Sequence, residues 1–515
     1  MGGETRTQNS VRNGIYALVF YVLNLILGFV SRRVFILRLG AELQGLNATL
    51  SSILEFLNIA ELGIGTVLAS LLYKPLFDKD EQKVSELIAL MGWAYRRIAY
   101  FIIAGAVVVM AFMPRIFAET TLPLWYAYAT FLVYLLASLL SYFVNYKQTL
   151  LSADQKEYKI TVAYRFPLII KMGLQILAIM YTDYGYEWWL FLTAAMAIVS
   201  SVMLSRAVKK DYPYVAKVSS RGAGVLIQKY PEAVKKVKQC FVHRIAGFFQ
   251  YQSVPILTYK FASLVVVTMY TNYMMIVMGV NMLVNALMNG IQAGVGNLVA
   301  EGDREKKLSV FYELFSLRMF IAAVVSFGIY TLSSPFVTLW VGGYLVIDNL
   351  SLGLITAILF INISRSAVES YLYAHGMFQD IWAPAAEAAI NIGLAVLLGS
   401  MMGLPGILIG SLVSLLVIVL GWKPYFLFKI GMKESLSRYW VNYIKHIVVI
   451  GVLFVGGVKL LELLPIDPSV SVIGFLAYGA IGMTVFVVAL CGMLSLVSRG
   501  MRDAVVRMRH IILRR

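Results

Sequence analysis

The sequence predicts an all-α integral membrane protein, on three observations. Apolar runs of about 20 to 28 residues recur along the whole chain, as helical spans require. Of the 515 residues, 60% are hydrophobic and only 14% are charged. Nowhere is there enough polar sequence for a soluble domain. A bilayer core about 30 Å thick takes roughly 20 apolar residues per helix, and backbone inside it must satisfy its own hydrogen bonds. Runs this long are helices rather than strands.

In order, spans are expected near 14–38, 46–73, 92–113, 122–148, 159–181, 186–207, 240–260 and 263–292. The second set lies near 312–333, 350–375, 383–403, 405–428, 443–463 and 471–497. That makes about fourteen transmembrane helices. The long basic connection after the sixth span divides the chain into an N-terminal six-helix bundle (1–207), a cytoplasmic linker (208–239), a C-terminal six-helix bundle (240–430) and an extra helix pair with a basic tail (431–515). Two similar bundles around a central cleft are a transporter organisation. Within the linker, 223–239 mixes Val and Leu with Lys at near-helical spacing, which reads as an amphipathic piece on the inner surface or as a solvated connection.

Orientation follows from Lys and Arg, which are retained on the cytoplasmic side. With the N-terminus inside, the inside connections carry Lys74, Lys79, Lys83, Lys147, Lys156, Lys159, Lys209, Lys210 and the Lys-rich linker. The tail adds Arg499, Arg502, Arg507, Arg509, Arg514 and Arg515, while outside connections hold little beyond Arg38, Arg115, Lys260 and Lys459. Both termini are expected in the cytoplasm, and residues 1–13 are too polar for a cleavable signal. The net charge of +17 is largely this inside excess. It attracts anionic lipids, and with no folded reading domain attached to it, no nucleic-acid partner is expected.

Enzyme signatures are thin. Cys240 and Cys491 make no disulfide framework or metal spacing, and His243, His375, His446 and His510 are scattered. Asp78-Lys79-Asp80 matches the D-x-D of many glycosyltransferases but sits in a short loop between spans. No phosphate loop for ATP hydrolysis is present. A membrane-embedded glycan polymerase or ligase, the competing class, needs catalytic groups in a large outer loop, and the longest outer connection, 334–349, has Asp348 as its one carboxylate. The expectation is a transporter with no catalytic residues, no metal and no cofactor.

Charge inside the spans is the more informative signal, because an ionised side chain at the bilayer centre costs about 2.5–3.5 kcal/mol on insertion scales and usually faces a cavity or a partner. The candidates for binding an anionic substrate are Arg32, Arg33, Lys171, Arg244 and Arg365; those for ion coupling are Glu55, Glu61 and Glu369. Glu387 and Arg165 complete the set. Arginine grips phosphate bidentately, so a basic interior suits a phosphate-bearing solute. Each has a structural alternative: Arg365 and Glu369 are four apart and can neutralise each other, Arg32 can reach Glu55, and Arg165 and Arg244 can snorkel to the inner interface. On one continuous helix Glu55 and Glu61 differ by about 120° in direction and do not share a groove. Pro167, Pro255 and Pro384 are expected to kink their spans, and Gly406 with Gly410 has the small-x-x-x-small spacing of close packing.

Several segments resemble one family. Tyr270-Thr271-Asn272-Tyr273, then Gly296-Asn297-Leu298 and the polar 302–307, are similar to the eighth-span region of bacterial polysaccharide-repeat (Wzx-type) flippases of the multidrug/oligosaccharidyl-lipid/polysaccharide exporter superfamily. The similarity continues through 335–342 (PFVTLWVG), 374–380 (AHGMFQD), Asn391 and 403–414, and near the start through 32–40 and 57–65. The family's acidic position before the apolar run of the seventh span is replaced here by Ser253-Val254-Pro255, so no cation role is carried over to it. The resemblance implies alternating access and a substrate, an undecaprenyl-diphosphate-linked oligosaccharide moved from the inner to the outer leaflet of the bacterial cytoplasmic membrane for O-antigen, capsule or a related glycan. It also implies a monomer with a polysaccharide polymerase as candidate partner. Relatives in the same superfamily export drugs or the peptidoglycan precursor, which remain the alternatives.

Overall fold

The computed structural model describes residues 6–61, 64–217, 223–231, 249, 252–301, 303–377 and 379–513. All regular structure among them is helical. Among the described residues, twelve helices are long and apolar enough to cross a membrane. The count agrees with about fourteen once two expected spans are considered. The second is broken in its middle, and the seventh (240–260) falls mostly outside the described residues. The chain divides into two compact units, Met1–Ile256 and Leu257–Arg515.

The first unit opens with α1 (Arg6–Leu39), which turns into α2 (Ala41–Leu57) at Gly40, whose φ of 93° favours a residue without Cβ. A 3₁₀ turn, Asn58–Glu61, separates α2 from α3 (Ile64–Phe77). Next come α4 (Glu81–Ile116) and α5 (Leu124–Phe143). The fifth span is composite: α6 (Gln148–Ala153) leads to α7 (Glu157–Ile160), a π segment (Thr161–Arg165) and α8 (Phe166–Tyr181). Proline has no N–H and its ring crowds the carbonyl four residues back; the wide turn lies immediately before Pro167 and relieves that crowding. Last is α9 (Gly185–Asp211). The core pairs Tyr186 in a stack on Trp189 at 5.7 Å, and the Tyr186 hydroxyl donates to Asn47 Oδ1 at 2.8 Å.

Asp80 resolves the D-x-D motif. Its carboxylate accepts from the Lys83 N–H at 2.9 Å and caps α4, a sufficient structural role for it. The described part of the expected linker, 223–231, is tied to the same end of α4: Lys229 Nζ and the Tyr230 hydroxyl both reach Glu86, at 2.6 and 2.9 Å. Burial and the Glu86 carboxylate push the Tyr230 hydroxyl up to about 12.

The second unit contains α10 (Leu264–Glu301), α11 (Arg304–Val341), α12 (Asn349–Ser364) and α13 (Ser366–Ala374), with a one-residue break at Arg365. A tight hairpin follows, α14 (Trp382–Met402) and α15 (Leu404–Ser414), joined at Gly403 with φ 65°. Gly406 and Gly410 press on α14: a Cβ at Gly410 would meet the Ala395 nitrogen at 2.5 Å, and one at Gly406 would strike the Leu398 carbonyl. The twelfth span continues through π segments Leu415–Trp422 and Phe426–Gly431. Pro384 lies in the first turn of α14, where a missing N–H costs nothing, so the kink expected there is not needed.

The chain ends in α16 (Leu436–Glu462), α17 (Val472–Val497) and α18 (Arg499–Leu513). The last is the expected basic tail, folded into an amphipathic helix on α11. Met501 and Ala504 are buried, Arg507 pairs with Glu313 at 2.9 Å, and a Cβ at Gly500 would strike the Tyr312 carbonyl. The core of this unit is aromatic, with Phe311 edge-on to Tyr371 at 5.0 Å and to Phe428 at 5.1 Å.

Candidate functional site

In the first unit, Arg32 is half-buried and Arg33 exposed on α1, which packs on α8. Lys171, half-buried on α8, makes no ion pair among the described residues. The two carboxylates of the second span sit on either side of its break. Glu55 is exposed on the last full turn of α2 and takes a hydrogen bond from Asn58. Glu61, on the 3₁₀ turn, accepts from the Tyr95 hydroxyl at 3.0 Å, and Tyr142 bonds to the same carboxylate. Continuous-helix geometry therefore does not apply to this pair. The break brings Glu55 and Glu61 near enough to repel each other, where the sequence suggested separate faces. Asn58 in turn accepts from Ser138 at 3.0 Å, so the turn is held from α5 as well.

The second unit gathers a larger charged group. Arg365 sits at the break between α12 and α13 and pairs with Glu369 at 3.4 Å, the intrahelical alternative. Buried Glu387 on α14 feels Arg365, Glu369 and Lys423. Lys423 in turn holds buried Asp380 at 2.5 Å, with the Trp422 indole donating to the same oxygen at 3.2 Å. Arg318 on α11, which the sequence reading passed over, is 7% exposed, is influenced by Glu369, and has no partner for its Nε among the described residues. Its signal was plain: an arginine inside the ninth apolar run. Arg318, Arg365 and Lys423 thus face Glu369, Glu387 and Asp380, three cations against three carboxylates. The interior here is balanced, and Arg365 must share Glu369 with any anion it binds. Buried Oδ1 atoms of Asn362 and Asn391 also lack partners among the described residues. Arg244 lies outside those residues.

Two charged clusters lie outside the spans. Lys156 bridges Asp154 at 2.7 Å and Asp211 at 3.2 Å, Lys159 meets Asp211 at 2.5 Å, and the Tyr212 hydroxyl donates to Asp154 at 2.6 Å. Burial pulls the Lys156 amine down, and the two carboxylates outweigh it and hold the group above its ordinary value. At the start of α2, burial works to raise the Glu42 carboxyl, while Thr120 and Thr121, at 2.6 to 3.0 Å, outweigh it and hold the group below the usual carboxylate range. No group of three or more His, Cys, Asp or Glu suited to a metal ion occurs among the described residues.

No family profile matches the chain and no curated protein matches it in sequence. Solved structures do. The chain is similar to the lipid II flippase MurJ in an inward closed conformation, with a TM-score of 0.61 over 92% of this chain and 98% of that one, at 14% identity. It is also similar to an inward-facing multidrug resistance MATE family transporter of the MOP superfamily, with a TM-score of 0.52 over 85% and 97% of the two chains at 15% identity. At these identities the likeness is one of fold: this chain is a multi-pass helical membrane protein built on the architecture those two transporters share.

Proposed function

We propose that the protein is an alternating-access flippase that moves an undecaprenyl-diphosphate-linked oligosaccharide from the inner to the outer leaflet for surface-polysaccharide assembly. The observation that carries the reading is arginine within apolar spans, Arg32 and Arg33 on α1 and Arg365 at the α12–α13 break, in a chain whose fold is similar to that of a lipid II flippase over 92% of its length. Guanidinium groups bind diphosphate bidentately. Broken spans supply places where backbone and side chains rearrange between states. The lipid-linked peptidoglycan precursor fits the same chemistry, and the segments resembling polysaccharide flippases favour the oligosaccharide.

A second reading rests on Glu61 with Tyr95 and Tyr142 around it. An acidic, aromatic surrounding suits cationic amphiphiles, as a multidrug exporter requires. Proteoliposomes separate the two. A fluorescent polyprenyl-diphosphate disaccharide should change leaflet when the purified protein is present, and a lipophilic cation should not be extruded. Extrusion of the cation without movement of the lipid would overturn the proposal.

A further inference from the structure

A cavity of about 470 Å³ opens in the first unit where α1, α6, α7 and the π segment meet. That volume is within the range of about 300–1,000 Å³ found for small-molecule sites. Asn24 enters from α1, Gln148 from α6, Glu157 from α7, and Tyr164 and Arg165 from the wide turn before Pro167. None of these five side chains makes a hydrogen bond or ion pair with another described residue. The contrast with the adjoining network is sharp, since Asp154, Lys156, Lys159, Asp211 and Tyr212 all spend their polar atoms on one another. Five unspent polar groups converge on one space.

Their chemistry narrows the ligand. Arg165 offers a two-pronged donor for a phosphate. Glu157 beside it would repel a bare anion, but it accepts well from hydroxyls, and the Gln148 and Asn24 amides both donate and accept. A group that is anionic at one end and hydroxyl-rich at the other satisfies all of them. Phe20 on the α1 side and Leu168 and Ile169 on α8 line the same space and give it an apolar rim.

We propose that this cavity is a docking subsite for the sugar-phosphate headgroup of a lipid, occupied before transport. Arg165 holds phosphate, Glu157 and Gln148 hold sugar hydroxyls, and the apolar rim takes the first part of the chain. The inference rests on the flippase reading and adds a site that Arg32, Arg33, Lys171 and Arg365 do not line. The chain in nanodiscs is tested by competition against a labelled polyprenyl-diphosphate N-acetylglucosamine, with polyprenyl phosphate, soluble N-acetylglucosamine 1-phosphate and phosphatidylethanolamine as competitors. Arg165→Ala should weaken both polyprenyl ligands about tenfold, with Arg165→Gln as the replacement if the first variant does not fold. Glu157→Gln combined with Gln148→Ala should weaken only the sugar-bearing ligand, by a similar factor. Unchanged affinities in both variants would overturn the subsite. Equal competition by phosphatidylethanolamine would overturn its sugar assignment, and equal competition by the soluble sugar phosphate its lipid assignment. Flipping measured on the same preparation separates the two claims: a wild type that binds but does not flip defeats the flippase reading alone, and flipping with variant-insensitive binding defeats the subsite alone.

Discussion

Arg365 carries both a partner and a task. Its ion pair with Glu369 stabilises the break between α12 and α13, and the same guanidinium is proposed to meet a diphosphate. Arg32→Ala and Arg365→Ala should each reduce lipid flipping more than tenfold while membrane insertion stays intact, read by flipping and by monodisperse elution in detergent. Lysine at either position should restore only part of it, because a point charge lacks the planar fork. Near-normal flipping in both alanine variants would remove them from the site. The charged side chains themselves were legible, since arginine in an apolar run needs only the sequence to be noticed. Their partners were not: Lys423 meets Asp380 across 43 positions of sequence, and the grouping of three basic with three acidic side chains appears only when the helices are packed. Arg318 shows the opposite failure, a visible signal passed over.

At the scale of elements, nearly every span was legible from hydrophobic length alone, and the interruptions were not. The Asn58–Glu61 turn and the π segment Leu415–Trp422 consist of ordinary helix-compatible sequence, and tertiary packing decides their geometry, whereas Pro167 signalled the wide turn before it. The tail helix α18 was also missed, because its Arg content masked the apolar spacing of Met501, Ala504 and Val505. The α14–α15 seam was readable from Gly406 and Gly410. Gly410→Ala should destabilise the protein by about 1–3 kcal/mol, since the new Cβ meets backbone that cannot swing away; an unchanged thermal midpoint in detergent would contradict this. Asp211→Asn should cost about 1–2 kcal/mol, between the values for exposed and buried ion pairs, because Lys156 and Lys159 both lose their shared partner. Glu42 gives a pH signature. Its folded value is depressed, so its stabilising contribution is present above the ordinary carboxylate range and is lost as pH falls through the lowered folded value. Thermal scans from pH 6 down to about 3 should show a loss that is smaller in Glu42→Gln, the remainder coming from other depressed carboxylates such as Asp211.

For the whole molecule, the energetics of the proposed cycle do not depend on which helices move. A lipid diphosphate carries about two negative charges, and one charge crossing 100 mV is worth about 2.3 kcal/mol. With the interior negative, outward passage gains about 4.6 kcal/mol per 100 mV by that figure, provided no cation rides along and the empty protein resets. An inside-negative potential imposed at equal pH and sodium should therefore accelerate outward flipping. A response to a pH or sodium gradient with none to potential would favour antiport through Glu61 or Glu369. The π segments bear on a different property, the tolerance of the chain to changes in its length. A π turn closes its hydrogen bonds one residue further on than an α turn, so Thr161–Arg165 and Leu415–Trp422 hold spare chain. Removing one residue there can convert the turn to α-helix, whereas removing one from α8 or α15 rotates everything beyond it by about 100°. Single-residue deletions should be accepted in the wide turns and refused a few positions away, which marks these two segments as the natural joints for grafting and for evolutionary insertion or loss.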